Sequence, residues 1–143
     1  SEMARVTNTT GVVAVYVWDY AGGNEMMRHF WDAATQLDSG SSKLDQRERF
    51  PLCQPEPLRE LFVQSGLGGV EIRSIEIELL SEILTIIGSN FQGGQGGAPT
   101  YAMSLEERDR NKLRDAIRDR LPIREDGTIQ LKATAWAVKG VVN

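Results

Sequence analysis

The sequence has few of the residues that build metal sites and disulfides. Its 143 residues include one cysteine, Cys53, and one histidine, His29. A single cysteine excludes an internal disulfide, which suits a reducing compartment such as the cytoplasm. One cysteine and one histidine are also too few for a zinc-type site, so we expect no metal. We expect Cys53 to be a buried, inert thiol and His29 to lie on a helix surface, with a role as a base acting on a substrate hydroxyl as the alternative for His29.

The sequence also lacks an excess of positive charge and a long apolar run. Sixteen Lys and Arg oppose twenty Asp and Glu, which gives a net charge of -4. Proteins that bind nucleic acid without sequence preference rely on cations that meet phosphates, so we expect no nucleic-acid partner. No apolar run reaches the roughly 18 residues of a membrane helix, and residues 1–5 do not resemble a signal peptide. These absences predict a cytoplasmic protein with no membrane contact.

The rest of the composition is that of a globular domain, with 41% hydrophobic and 25% charged residues. We expect one domain over residues 1–143. The apolar run Val12–Trp18 predicts a strand that is buried on both faces. Alternation over Val70–Leu79 predicts a second strand with a bulge near Arg73–Ser74, and Thr128–Val138 follows a turn as the third.

Helical spacing of apolar residues predicts the segments between these strands. The predicted helices are Glu25–Leu37, Glu56–Ser65, Glu82–Ile87 and Ser104–Leu121. Ser104 and Glu107 form a capping-box pattern at the start of the last helix, Gly66 is placed to end the second one, and Gly93–Pro99 is expected to be a loop. Strands that alternate with helices indicate an α/β layered sheet.

Several short segments carry a family resemblance by their order and spacing. They are Glu2-Met3-Ala4-Arg5-Val6, Gly11–Tyr20, Phe30-Trp31, Arg49-Phe50-Pro51-Leu52, Pro55-Glu56-Pro57-Leu58, Gly66-Leu67, Gly93–Gly96, Ala98-Pro99-x-Tyr101 and Ile129–Gly140. Together they resemble the C-terminal half of class I S-adenosylmethionine-dependent methyltransferases of type 11. Thr9-Thr10-Gly11 stands where the family commonly has a Pro-Gly-Gly turn.

The resemblance implies an α/β fold that contains part of a doubly wound sheet. Val12–Trp18 would be the fifth of seven strands, Val70–Leu79 the sixth and Thr128–Val138 the seventh. The implied order is 5-7-6, with the last strand antiparallel and helices packed on the sheet. Leu80–Ile87 is more apolar than the corresponding stretch of the family. In such enzymes this stretch helps to roof the substrate pocket.

The cofactor site of that family lies at a Gly-rich turn after the first strand, near an acidic residue that ends the second. Neither element occurs in this sequence. We therefore expect the substrate-side half of a methyltransferase for small molecules, which does not hold S-adenosylmethionine by itself and has no assigned catalytic residue. The first strand would have a bare edge. A second copy of the chain, or the missing N-terminal half, is the expected partner.

Six residues are predicted to form the substrate side: Trp18, Asp19, Tyr20, Phe30, Trp31 and Tyr101. The first three lie at the carboxyl end of the predicted first strand, where ligands bind in doubly wound sheets. The aromatic residues would supply walls for an apolar substrate. Two alternatives stay open. Trp18 could belong to the core while Asp19 caps a turn, and the chain could be a non-enzymatic dimer that binds a small ligand or a protein.

Overall fold

Three apolar stretches pair into one sheet. In the computed structural model, residues 1–82 and 96–143 are described. The strands are β1 (Val12–Trp18), β2 (Leu67–Glu82) and β3 (Thr128–Val142), in the order β1-β3-β2. β3 runs antiparallel to both neighbours, so β1 and β2 are parallel to each other. The predicted α/β class, with a third strand that is antiparallel to the other two, is confirmed.

Helices fill the connections between the strands. They are α1 (Glu2–Val6), α2 (Glu25–Leu37), a 3-10 helix (Ser39–Leu44), α3 (Gln46–Arg49), α4 (Pro55–Gln64), α5 (Gly97–Ser104) and α6 (Glu107–Arg118). The Asn24 side chain accepts a hydrogen bond from the Met27 N–H and so caps α2. Gly66 follows α4 with a φ of +79°, the left-handed conformation predicted for it.

The helices cover opposite faces of the sheet at opposite ends of β3. Ile129 and Leu131 belong to a core cluster with side chains of α2, α5 and α6, and their side of the sheet is here named the α2 face. Val138 belongs to a second cluster with Leu58 and Phe62 of α4, on the side named the α4 face. Successive residues of a strand point to opposite faces. One part of each face is therefore left without a helix among the described residues.

The predicted bulge in β2 is misplaced. The register shifts between Gly68 and Glu71, where Gly69 has a φ of +57° and can absorb the irregularity. From Glu71 onward the pairing with β3 is regular, so the bulge predicted near Arg73–Ser74 is wrong. The apolar phase changes there because Ile72 packs against the α4 cluster, whereas Ile75 and Ile77 lie on the α2 face, where they stay exposed.

The prediction that β1 is buried on both faces is wrong. Val13 points to the α4 face and is only 4% exposed. Its neighbours on the α2 face are open, and the Tyr16 side chain is 73% exposed. The continuous apolar run of β1 therefore forms a strand that α4 covers on one face only.

The predicted helix Ser104–Leu121 corresponds to α6, which begins at Glu107 after a break at Leu105, and Ser104 belongs to the preceding helix instead. Ser104 ends α5, and its hydroxyl donates to the Tyr101 carbonyl oxygen at 2.7 Å. The capping box with Glu107 is therefore wrong, because Ser104 binds a carbonyl of the preceding helix instead of an N–H group of the next one. The Arg110 side chain stabilises the break by donating to the carbonyl oxygens of Ala102 and Leu105.

Two other predicted segments differ from the structure or fall outside the described residues. Part of the loop Gly93–Pro99 is helical, since α5 begins at Gly97; residues 93–95 are not described. In the helix predicted over Glu82–Ile87, Glu82 is the last residue of β2. The other residues of that prediction lie outside the described residues.

Thr10 offers a test of the turn that precedes β1. It has a φ of +66°, which is costly for a β-branched residue. Its N–H donates to the Val142 carbonyl oxygen at 2.8 Å, which holds the turn in place. We expect Thr10→Gly to raise the free energy of unfolding in urea by about 0.5–1 kcal/mol, because strain is removed at a smaller entropic cost. Thr9→Gly is the control. A loss of stability in Thr10→Gly would show that the backbone of Thr10 is not strained.

Candidate functional site

The candidate site is the turn at the carboxyl end of β1. The Asp19 N–H donates to the Thr134 carbonyl oxygen at 2.9 Å, which continues the pairing of β1 with β3. One carboxylate oxygen of Asp19, Oδ1, accepts from the N–H groups of Ala21 at 2.9 Å and Gly22 at 3.1 Å. This Asx turn fixes the direction in which the chain leaves the sheet. Asp19 thus stabilises the turn through its side chain.

Tyr20 lies beside the loop that contains Phe50 and Cys53. Its ring centroid is 6.3 Å from that of Phe50, and the rings are tilted by 39°. The Arg49 guanidinium lies 5.5 Å from the Phe50 ring centroid, within range of a cation–π contact. Burial raises the pKa of the Tyr20 phenol. Tyr20 therefore stays neutral near pH 7 and can act as a hydrogen-bond donor.

Cys53 closes the same loop. Its N–H donates to the Phe50 carbonyl oxygen at 3.0 Å, and its side chain is half-buried. Burial raises the pKa of the Cys53 thiol, and the negative charge of Asp19 raises it further. Because the thiolate is the reactive form, Cys53 is a weak nucleophile near pH 7. The structure places Cys53 next to the predicted site, where it is half-buried rather than buried as predicted.

Phe30, Trp31 and Tyr101 are packed against one another in the core of the α2 face. The Phe30 and Trp31 rings meet edge to face at 5.0 Å and 86°, and the Tyr101 centroid is 6.3 Å from Phe30 and 5.8 Å from Trp31. All three side chains are buried. The Trp31 indole N–H donates to Gln46 Oε1. The six predicted residues thus fall in two places, the partly exposed end of β1 with its turn and a core cluster.

His29 lies on α2 and is half-buried. Burial lowers the pKa of its imidazole, while the nearby carboxylates of Glu25 and Asp32 act in the opposite direction. Within residues 1–82 and 96–143, no group of three or more His, Cys, Asp or Glu side chains is arranged to hold a metal ion. No helix in the described part of the chain is long and apolar enough to cross a membrane.

The glycines after β1 do not fit the cofactor cradle of the methyltransferase family. Such a cradle needs a Cβ-free backbone that closely approaches a ligand. A Cβ on Gly23 would lie 2.6 Å from Thr134 Cβ, so this glycine permits packing against β3. A Cβ on Gly22 would meet no atom within 4 Å. The turn is therefore shaped by the protein's own packing.

An exposed apolar surface extends from the site across the uncovered part of the α2 face. The register places residues of all three strands on this side. We name this surface the open patch, and its exposed members are Val12, Tyr16, Trp18, Ile75, Ile77, Leu79 and Val141. Of the predicted site residues only Trp18 belongs to it. The alternation in β2 signalled Ile75 and Ile77, but the sequence did not indicate that no helix covers them.

The chain is therefore an α/β protein with a three-stranded antiparallel sheet, and Tyr20 and Phe50 are in contact at the carboxyl end of β1. No model of a known protein family matches the sequence. A search of curated proteins also finds no significant match.

Proposed function

We propose that this chain forms the substrate-side half of an S-adenosylmethionine-dependent methyltransferase for small molecules. The observation that supports this proposal is the sheet topology. β3 lies between two parallel strands and runs antiparallel to both, which is the arrangement expected of strands 5, 7 and 6 in a doubly wound methyltransferase sheet. The sequence resemblance assigned the same strands to those positions.

In this proposal, the turn after β1 faces the substrate. Ligands bind outside the carboxyl ends of strands in such sheets. Trp18 is partly exposed there and could stack on an apolar substrate, while the neutral Tyr20 hydroxyl could donate a hydrogen bond. Phe30, Trp31 and Tyr101 would support this side from the core, since their rings are buried against each other.

The methyl group would come from S-adenosylmethionine that is held by a cofactor-binding half joined to the edge of β1. The residues of this chain would bind and orient the acceptor, because transfer from a sulfonium needs positioning more than acid or base chemistry. The single cysteine and the absence of a disulfide favour a cytoplasmic setting.

Fusion to a cofactor-binding half tests the proposal. We expect calorimetry to detect no binding of S-adenosylmethionine by the chain alone. A fusion that places strands one to four of a characterised class I methyltransferase before Ser1 should bind the cofactor. The donor half alone is the control and should bind it poorly. If the fusion folds, as judged by circular dichroism, but binds no better than the donor half, the proposal is wrong.

A second candidate function is a non-enzymatic dimer that binds a small ligand or a protein. The open patch and the apolar edge of β1 favour it, because both remain available for association in the described structure. Binding of S-adenosylmethionine by the fusion would count against this candidate.

A further inference from the structure

The two outer strands of the sheet differ in the charge that they carry. β2 has Glu71, Arg73, Glu76 and Glu78 on exposed positions. Charged side chains are a common protection of edge strands against pairing with another chain. β1 reads Val-Val-Ala-Val-Tyr-Val-Trp and has no charged residue, no proline and no glycine. Among the described residues, β1 has a neighbour on one edge only, so its other edge can accept a strand.

The backbone of β1 shows which groups face that edge. The Asp19 N–H and the Gly11 carbonyl oxygen both point to β3, where they bind Thr134 and Val142. Backbone groups of alternate residues point to opposite sides of a strand. The N–H and C=O groups of Val13, Val15 and Val17 therefore point to β3. Those of Val12, Ala14 and Tyr16 point to the outer edge.

We propose that this chain forms a homodimer in which β1 pairs antiparallel with β1 of a second copy, around a two-fold axis at Val15. This register uses all seven residues of the strand. It places Ala14 opposite Tyr16 of the second copy, and both residues have outward hydrogen-bonding groups. It also places Val12 opposite Trp18, so each large aromatic side chain meets a smaller one on the α2 face.

A second copy fits this edge better than a charged partner does. Because the strand carries no charge, self-pairing opposes no like charges along its length, whereas self-pairing of β2 would bring acidic residues together. A two-fold pairing is closed and leaves the charged β2 strands at the outer ends of a six-stranded sheet. The open patches of the two copies would lie side by side on one face of this sheet, so the interface itself consists of the paired β1 strands and their cross-strand side-chain contacts.

The inference concerns the chain by itself and does not rest on the proposed function. A cofactor-binding half joined to β1 would occupy the same edge. The chain alone should therefore be a dimer by light scattering, whereas the fusion described above should be a monomer. Cofactor binding reports on the proposed function and molecular mass reports on the dimer, so failure of one is distinguishable from failure of the other.

Disulfide trapping tests the register. In a Cys53→Ser background, Val15→Cys should cross-link under mild oxidation, because residues that face each other in a non-hydrogen-bonded pair have Cα atoms about 4.5 Å apart. Val17→Cys is the matched control on the same strand and face. Its Cα would lie about 14 Å from its counterpart, four residues away along the strand at about 3.4 Å per residue. Stronger cross-linking of Val17→Cys than of Val15→Cys, or no cross-linking of either, would overturn this register.

Charge substitution tests the edge itself. Tyr16→Lys should convert the dimer to a monomer at micromolar concentration, because it places two lysines diagonally across the two-fold axis. Ile77→Lys is the control, since it adds the same charge to the open patch on β2, away from the β1 edge. If Ile77→Lys dissociates the dimer as fully as Tyr16→Lys, the copies associate face to face and edge pairing is wrong. A wild-type chain that is monomeric at this concentration would also overturn the inference.

Discussion

Phe30→Ala is expected to lower the free energy of unfolding by about 3–5 kcal/mol, as measured by urea denaturation. The Phe30 side chain has 0% exposure and packs against the rings of Trp31 and Tyr101. Removal of the ring deletes buried apolar surface and leaves a cavity that the α-helical neighbours can only partly fill. Domains of this size are stable by about 5–15 kcal/mol, so this loss is a large share of the total stability and should move the urea midpoint to a clearly lower concentration.

Phe50→Ala is the matched control for this loss. Phe50 has the same side chain, but it is 45% exposed and lies on the loop beside Tyr20. We expect its replacement to cost no more than about 1 kcal/mol. Equal losses for the two variants would mean that the aromatic cluster of Phe30 does not anchor the core.

Gly140→Val is expected to lower the free energy of unfolding by about 2–3 kcal/mol through overpacking. A Cβ at position 140 would lie 2.9 Å from the Leu67 Cβ and 3.4 Å from the Phe62 Cδ1. The first of these contacts is with the stem of a side chain that is fixed near the start of β2, so it cannot be relieved by a simple rotation. The variant must therefore move α4 or β2 away from β3.

Gly22→Ala tests whether the effect comes from the lack of space. A Cβ at position 22 would meet no atom within 4 Å, and its φ lies outside the left-handed region. We expect this substitution to leave stability unchanged or to raise it by a few tenths of a kcal/mol. A neutral Gly140→Val variant, measured in the same denaturation series, would show that the α4 face is packed more loosely than the distances indicate.

Much of the fold could be predicted from local patterns. The apolar run of β1, the alternation in β2 and the turn before β3 indicated the positions of the three strands. The amphipathic spacing of α2 gave its bounds to the residue. The break at Leu105 could not be predicted, because it depends on side chains such as Arg110 that bind carbonyl groups only after the chain has folded.

The candidate site was harder to predict than the fold. Trp18, Asp19 and Tyr20 follow a strand, so their position at its carboxyl end could be inferred from the sequence. The burial of Phe30, Trp31 and Tyr101 against each other could not, since an aromatic residue on a helix suits either a pocket wall or a core. Phe50 was not assigned to the site, because its contact with Tyr20 joins residues that are distant in the sequence.

The arrangement of helices around β3 has a consequence for how the molecule can open. Ile129 and Leu131 belong to one hydrophobic cluster, and Val138 belongs to another on the opposite side. The two clusters share no described residue and are joined through the paired strands β2 and β3. Each can therefore loosen as a separate cooperative unit, and amide hydrogens near either end of β3 would then exchange with solvent at different rates.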